Sequence, residues 1–169
     1  IEQKGTYPLP EAQVDRFMMK CVVDYPSRDD ERRIMNRFSR PLNTEVATVM
    51  SAEQVATLRS VLDQVYCDEK VGEYILDIVQ ATRDPKAFGL AALANQIEMG
   101  ASPRASLWLN IGARANALLH GRAYATPQDV KEIAREVLRH RVMLTYEAEA
   151  ENVGADQVVE TILGTIPVP

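Results

Sequence analysis

Apolar residues recur at helical spacing along most of this chain, broken by short polar turns. Ser51-Ala52-Glu53-Gln54 has the form of a capping box, and Val55, Leu58, Val61, Leu62 and Val65 follow it as the stripe of one helix. A second helix is predicted from about Glu69 to Arg83, with Val71, Ile75, Ile78 and Val79 inward. It should stop before Asp84-Pro85, because the residue preceding a proline avoids helical geometry. Phe88 to Ile97 is rich in Ala and Leu, reads as helical and is ended by Gly100. A long helix is expected from Pro103 to His120. Leu107, Ile111, Ala115 and Leu118 lie along one face, and the small Gly112, Ala113 and Ala117 allow another helix close, with Gly121 as the stop. Thr126-Pro127-Gln128-Asp129 opens a further helix with Val130, Ile133, Ala134, Val137 and Leu138 inward. Arg141 to Glu151 continues as helix or extended chain, and a last helix covers about Asp156 to Leu163.

The amino-terminal part differs. Ile1 to Pro10 is rich in turn formers, a short helix is predicted from Glu11 to about Met18, and Cys21-Val22-Val23-Asp24-Tyr25 is a β-branched run stopped by Pro26. That run reads as a strand with no partner in the rest of the sequence. Strands must pair to satisfy their backbone groups, so its neighbours are expected upstream of Ile1 and the chain reads as a fragment. Asp29 to Ser39 carries Ile34, Arg37 and Phe38 in a short amphipathic pattern, and Pro41 to Met50 is a connector. The expected fold is mainly α: a helical bundle preceded by a helix-strand remnant of an α/β domain.

Composition narrows the function classes. At 169 residues, 46% hydrophobic and 25% charged, the chain can bury one good core or two small ones. A net charge of −5 gives no global electrostatic case for nucleic acid, although Arg139-His140-Arg141 forms a local basic cluster. Cys21 and Cys67 stand at no metal-ligand spacing, which suits two structural thiols in a reduced, cytoplasmic compartment. No apolar run approaches the length of a membrane span. His120 and His140 are far apart, each flanked by basic residues, and read as solvated helix-end side chains with no metal site.

Two arginines stand out. Gly100-Ala101-Ser102-Pro103-Arg104-Ala105 is a helix start in which Ser102 caps, Pro103 takes the first helical position and Arg104 sits in the first turn. The macrodipole favours acids there, so Arg104 either pairs with a nearby acid or faces a phosphate, to which guanidinium donates in a bidentate way. Arg16 follows Asp15 near the end of a short helix; it pairs with Glu11 or Asp15, or it too faces a phosphate. The chain has no Gly-x-x-x-x-Gly-Lys-Ser/Thr loop and no aliphatic run ending in paired acids. It also lacks a nucleophile–histidine arrangement with a supporting local signature.

Glu2-Gln3-Lys4-Gly5-Thr6-Tyr7-Pro8-Leu9-Pro10-Glu11-Ala12-Gln13-Val14-Asp15-Arg16-Phe17 resembles the segment after the sensor 1 strand in MoxR-type AAA+ ATPases. Arg83-Asp84-Pro85, Phe88-Gly89-Leu90, Gly100 to Ala105, Gly121 to Val130, Val137 to Arg141 and Pro167-Val168-Pro169 are similar to that family in the same order. Val14 departs from a usual leucine, and Ala123 and Ala125 stand where bulkier or acidic residues are common. The resemblance implies that residues 1–25 end the α/β nucleotide-binding domain and that 26–169 form the helical lid. It further implies that Arg16 is the arginine finger, offered in trans. Arg104 would be the sensor 2 arginine on an ATP phosphate, in cis or in trans, and Arg122 an additional phosphate contact. Walker A, Walker B and sensor 1 would lie upstream, so ATP and Mg2+ would be held by the intact protein, and this part alone would be inactive. The partners implied are further copies in a homo-oligomeric ring (a hexamer), client proteins that are remodelled or matured, and a von Willebrand factor A-type protein. The alternative is a helical protein-interaction module in which both arginines make surface salt bridges.

Overall fold

The computed structural model describes residues 9–39 and 46–169. The residues quoted from Glu2 to Pro8, and the start of the connector after Ser39, lie outside the described residues. Contacts divide the chain into two units, Ile1–Lys20 with Val61–Pro169, and Cys21–Ser60.

In the larger unit, α1 is a single turn, Glu11–Val14, followed by an irregular segment to Lys20. It is shorter than expected because the Asp15–Lys20 backbone bonds to side chains elsewhere instead of continuing the helix. Later come α4 (Glu69–Arg83), α5 (Pro103–Leu119), α6 (Pro127–Leu138), α7 (Tyr146–Ala150) and α8 (Ala155–Thr165). α5 packs on α4 and α6, and α8 packs on α4 and α6. The inward stripes predicted for α4 and α6 are the observed ones: Val71, Ile75, Ile78 and Val79, and Val130, Ile133, Ala134, Val137 and Leu138, are all buried.

α5 is rotated relative to expectation. Its buried residues are Ala105, Leu109, Gly112, Ala113 and Ala117, whereas Leu107 is exposed. Small side chains face inward because α6 approaches closely: a Cβ on Gly112 would lie 2.5 Å from Ile133 Cδ1. The run from Phe88 to Ile97 is not an α-helix. It makes two 3-10 turns, Pro85–Phe88 and Ala91–Asn95, separated by Gly89 at φ 75°. A left-handed glycine there ends the first turn where an alanine would be strained. Among the described residues, four very short strands complete the unit. β1 (Tyr66–Cys67) pairs in parallel with β3 (Tyr124–Ala125), and β2 (Ile97–Met99) pairs antiparallel with β4 (Met143–Leu144).

In the smaller unit, α2 (Arg28–Phe38) is capped by Ser27, whose hydroxyl accepts from the Asp30 N–H. Arg32–Asp29 and Arg33–Asp30 ion pairs line its exposed surface. α3 (Ala52–Leu62) starts with the expected reciprocal box: Gln54 N–H donates to Ser51 Oγ, and Ser51 N–H donates to Gln54 Oε1 at 2.7 Å. The strand expected over Cys21–Tyr25 is absent. No strand pairs with it among the described residues, and Val23 and Tyr25 are more than nine-tenths exposed, so nothing holds this run in a ladder. No described helix is long and apolar enough to cross a membrane.

Candidate functional site

The start of α5 is built by the end of α4. Thr82 Oγ accepts from the Ala101 N–H at 2.9 Å while donating to the Val79 carbonyl, and Arg83 Nε donates to the Ala101 carbonyl at 2.7 Å. Gly100 lies against this corner so closely that a Cβ would be 2.4 Å from the Thr82 carbonyl oxygen. Only glycine lets the two backbones meet in this way. Ser102 then caps α5 as expected, accepting from the Arg104 N–H, with Pro103 at the first helical position.

The cap also reaches a residue far back in the chain. Ser102 Oγ lies 2.9 and 2.8 Å from the two Asp15 carboxylate oxygens, and Arg104 Nη1 donates to Asp15 Oδ2 at 3.0 Å. The acid that a helix N-terminus favours is thus supplied by Asp15. The salt-bridge alternative for Arg104 is realised, yet through one nitrogen among the described residues, and its side chain stays 54% exposed. Arg16, the next residue after Asp15, is exposed and makes no ion pair or side-chain hydrogen bond among the described residues. Its expected partners are not used: Asp15 is given to Arg104, Ser102 and Arg141.

Arg141 fixes this arrangement from below. Its side chain is fully buried and all five of its N–H donors are engaged. Nε donates to Asp15 Oδ1 at 3.0 Å, Nη1 to the Met18 and Val137 carbonyls, and Nη2 to the Asp15 and Phe17 carbonyls. Its neighbours complete the clasp. His140 Nε2 is 3.1 Å from the Phe17 carbonyl, so it carries the proton and donates. Arg139 donates to the Lys20 carbonyl while forking onto Asp156, and Lys20 N–H donates to the Glu136 carbonyl. His140 is therefore half-buried packing, not the solvated side chain expected. The run 139–141 stands in the sequence as a local basic cluster. Nothing in its spacing says that it satisfies carbonyls of a loop 126 positions earlier.

The electrostatics follow from this packing. Burial works to raise the Asp15 carboxyl, but Arg104, Ser102 and Arg141 outweigh it and hold it below the usual carboxylate range. Burial also works against the Arg141 charge, and Asp15 offsets part of that.

Arg122 lies elsewhere, around the α6 cap. Its Nη1 and Nη2 donate to Asp129 Oδ2 and Oδ1 at 2.7 and 2.6 Å, so its fork is committed to a carboxylate. His120, Asp129 and Glu132 come within 4.8 Å of one another through their ligand atoms. Arg122 already neutralises Asp129, and Asn116 bridges Asp129 and Glu132, which makes the trio an ion-pair and amide network.

These features define a helical lid domain whose first turn of α5 presents an arginine beside the loop that carries a second one. Residues 90–162 match the family described as the AAA lid domain. Over its whole length the chain is similar to proteins of the MoxR family. It is 38% identical to chaperone MoxR1 of Mycobacterium tuberculosis over all of this chain and 45% of that protein. It is 31% identical to protein MoxR of Paracoccus denitrificans over all of this chain and 53% of that one. A crystal structure from Cytophaga hutchinsonii, described as a candidate ATPase, superposes with a TM-score of 0.92 at 43% identity, covering all of this chain and 52% of the other. The chain thus spans about half the length of the relatives it matches.

Proposed function

We propose that this chain supplies the lid and the arginine finger of a ring-forming ATPase that remodels or matures client proteins. Residues 1–25 would close the α/β nucleotide-binding domain and 26–169 would form the lid. Arg16 is the finger and Arg104 the sensor 2 residue. The observation that carries this reading is the Arg104–Asp15 contact at 3.0 Å. Arg16 follows Asp15 directly, and consecutive Cα atoms are about 3.8 Å apart, so both arginines belong to one patch and serve one nucleotide. With the finger acting on a neighbour's ATP, this proximity supports the reading in which Arg104 acts there as well, in trans.

The residues fit a phosphate. Arg104 keeps free donors at a helix N-terminus, and Arg16 is exposed and unpaired among the described residues. ATP with Mg2+ supplies the transferable phosphoryl group, whose spreading negative charge guanidinium groups stabilise. Arg122 is left out of this set, because Asp129 fills its fork. A cytoplasmic hexamer working with a von Willebrand factor A-type partner is the assembly that accords with the family and with a finger offered in trans.

The test is Arg16→Ala in the intact ATPase. Turnover should fall by about 10³–10⁵-fold, as for fingers supplied in trans to GTPases, with nucleotide affinity little changed. A normal rate would reject the finger assignment.

A further inference from the structure

Resting on the phosphate-facing roles proposed for Arg16 and Arg104, we propose that Arg141 is the positioning residue that makes those two arginines move as one body. The geometry is specific. One guanidinium holds the backbone on both sides of Arg16, through the Asp15, Phe17 and Met18 carbonyls, and at the same time holds the Asp15 carboxylate that Arg104 and Ser102 share. It is anchored to its own helix end through the Val137 carbonyl, and its side chain has no exposure. Asp15 is the joint. Its Oδ1 faces Arg141 and Ser102, and its Oδ2 faces Ser102 and Arg104.

A loop held only by its own turn would let the Arg16 side chain wander, and a small misplacement of a transition-state donor costs rate rather than binding. Five donors in a fixed planar fork meet five acceptors here, a pattern that a lysine, with three donors on one nitrogen, cannot reproduce. Arg141 touches no phosphate in this arrangement. It acts through Arg16 by way of the loop carbonyls, and through Arg104 by way of Asp15.

The experiment uses the intact ATPase as wild type, Arg16→Lys, Arg141→Lys and the double variant, with steady-state ATP hydrolysis and binding of a fluorescent ATP analogue measured for each. Arg141→Lys should lower kcat at least about tenfold and leave the analogue's Kd within about threefold. Because it acts through the finger loop as well as through Arg104, the double variant should be slower than Arg16→Lys alone by clearly less than the loss that Arg141→Lys causes in the wild type. Multiplying losses, a kcat for Arg141→Lys within twofold of wild type, or an analogue Kd weakened in step with kcat, would overturn the inference. Where Arg141→Lys fails to fold, Asp15→Asn takes its place, since it leaves the carbonyl contacts of Arg141 intact. Asp15→Asn should slow turnover, and Asp15→Asn with Arg104→Ala should be no slower than Arg104→Ala alone; independent losses would overturn the inference equally. A full rate from Arg16→Lys removes the finger reading and this inference with it, whereas a slow Arg16→Lys beside a normal Arg141→Lys removes the inference alone.

Discussion

Asp129 gives both carboxylate oxygens to the Arg122 fork while only 1% of the residue is exposed. The same carboxylate accepts from the Thr126 N–H and hydroxyl and from the Asn116 amide, so one acid closes the α6 capping box, ties α6 to α5 and neutralises Arg122. Asp129→Ala leaves several buried or half-buried donors without a partner. It should cost about 3 kcal/mol, in the range for breaking a buried pair, measured as a lowered denaturation midpoint with an unchanged slope. A loss below about 0.5 kcal/mol would mean that water replaces the carboxylate.

Acid should remove that contribution in a defined window. Burial raises the Asp129 carboxyl, but the Arg122 fork, the Thr126 contacts and the Asn116 amide outweigh it and hold it far below the usual carboxylate range. Its folded value is therefore depressed. The stabilisation is complete above the ordinary carboxylate value of about 4 and is lost as pH falls through the folded one. Asp15 has the same sign, from Arg104, Ser102 and Arg141 against burial. Denaturant melts from pH 5 to pH 2 should show a steep loss of stability in the native chain and a shallower one in Asp129→Asn. Equal slopes would place the acid sensitivity elsewhere.

His140 opens a second window at higher pH. Burial lowers its value first, the Arg141 and Lys20 charges lower it further, and the Phe17 carbonyl and Asp15 oppose them. A depressed imidazole is held neutral in the folded chain, so its contribution is whole above the ordinary value of about 6.5 and declines as pH falls below it. The His140 ring should titrate below pH 6.5 by NMR, and stability should drop slightly between pH 7 and pH 5 in the native chain but not in His140→Gln. Titration above 6.5 would contradict the burial of Nδ1, which finds no partner among the described residues.

Long elements were legible in the sequence because their periodicity was strong. The inward residues of α4 and α6, the Ser102 cap with Pro103, the Thr126 cap and the Gly121 stop at φ 71° are all where the pattern puts them. The face of α5 was legible in part: Gly112, Ala113 and Ala117 are buried as their size suggests, but large apolar residues suggest burial where close packing selects small ones, and Leu107 is exposed. Strands of two or three residues carry no usable alternation, so β1 to β4 left no trace. The Cys21–Tyr25 run, whose partners the sequence reading places upstream of Ile1, pairs with no strand among the described residues. In the proposed site, the roles of Arg16 and Arg104 come from the resemblance alone. The acid joining Arg104 to the Arg16 loop, and the buried Arg141 beneath it, depend on tertiary contacts that spacing cannot report.

Gly100 and Gly112 should respond differently to the same added methyl group. At Gly112 the obstacle is Ile133 Cδ1, the far end of a flexible side chain, with Met18 Cε next at 3.3 Å. Rotamer shifts can absorb Gly112→Ala, and the gain in helix propensity offsets part of the crowding, so the net loss should stay below about 1 kcal/mol. At Gly100 the obstacles are backbone atoms, the Thr82 carbonyl at 2.4 and 2.6 Å and Arg83 Cα at 2.8 Å, and these cannot rotate away. Gly100→Ala must part the α4 end from the α5 start, breaking the Thr82–Ala101 and Arg83–Ala101 hydrogen bonds, at a cost of about 3 kcal/mol. The displacement passes to Ser102 and Arg104, so the surviving folded fraction of the intact ATPase should also turn over more slowly. Calorimetry on both variants, with hydrolysis rates corrected for folded fraction, measures the two effects separately. Similar melting temperatures for the two variants would show that the α4–α5 corner yields more readily than its backbone contacts imply.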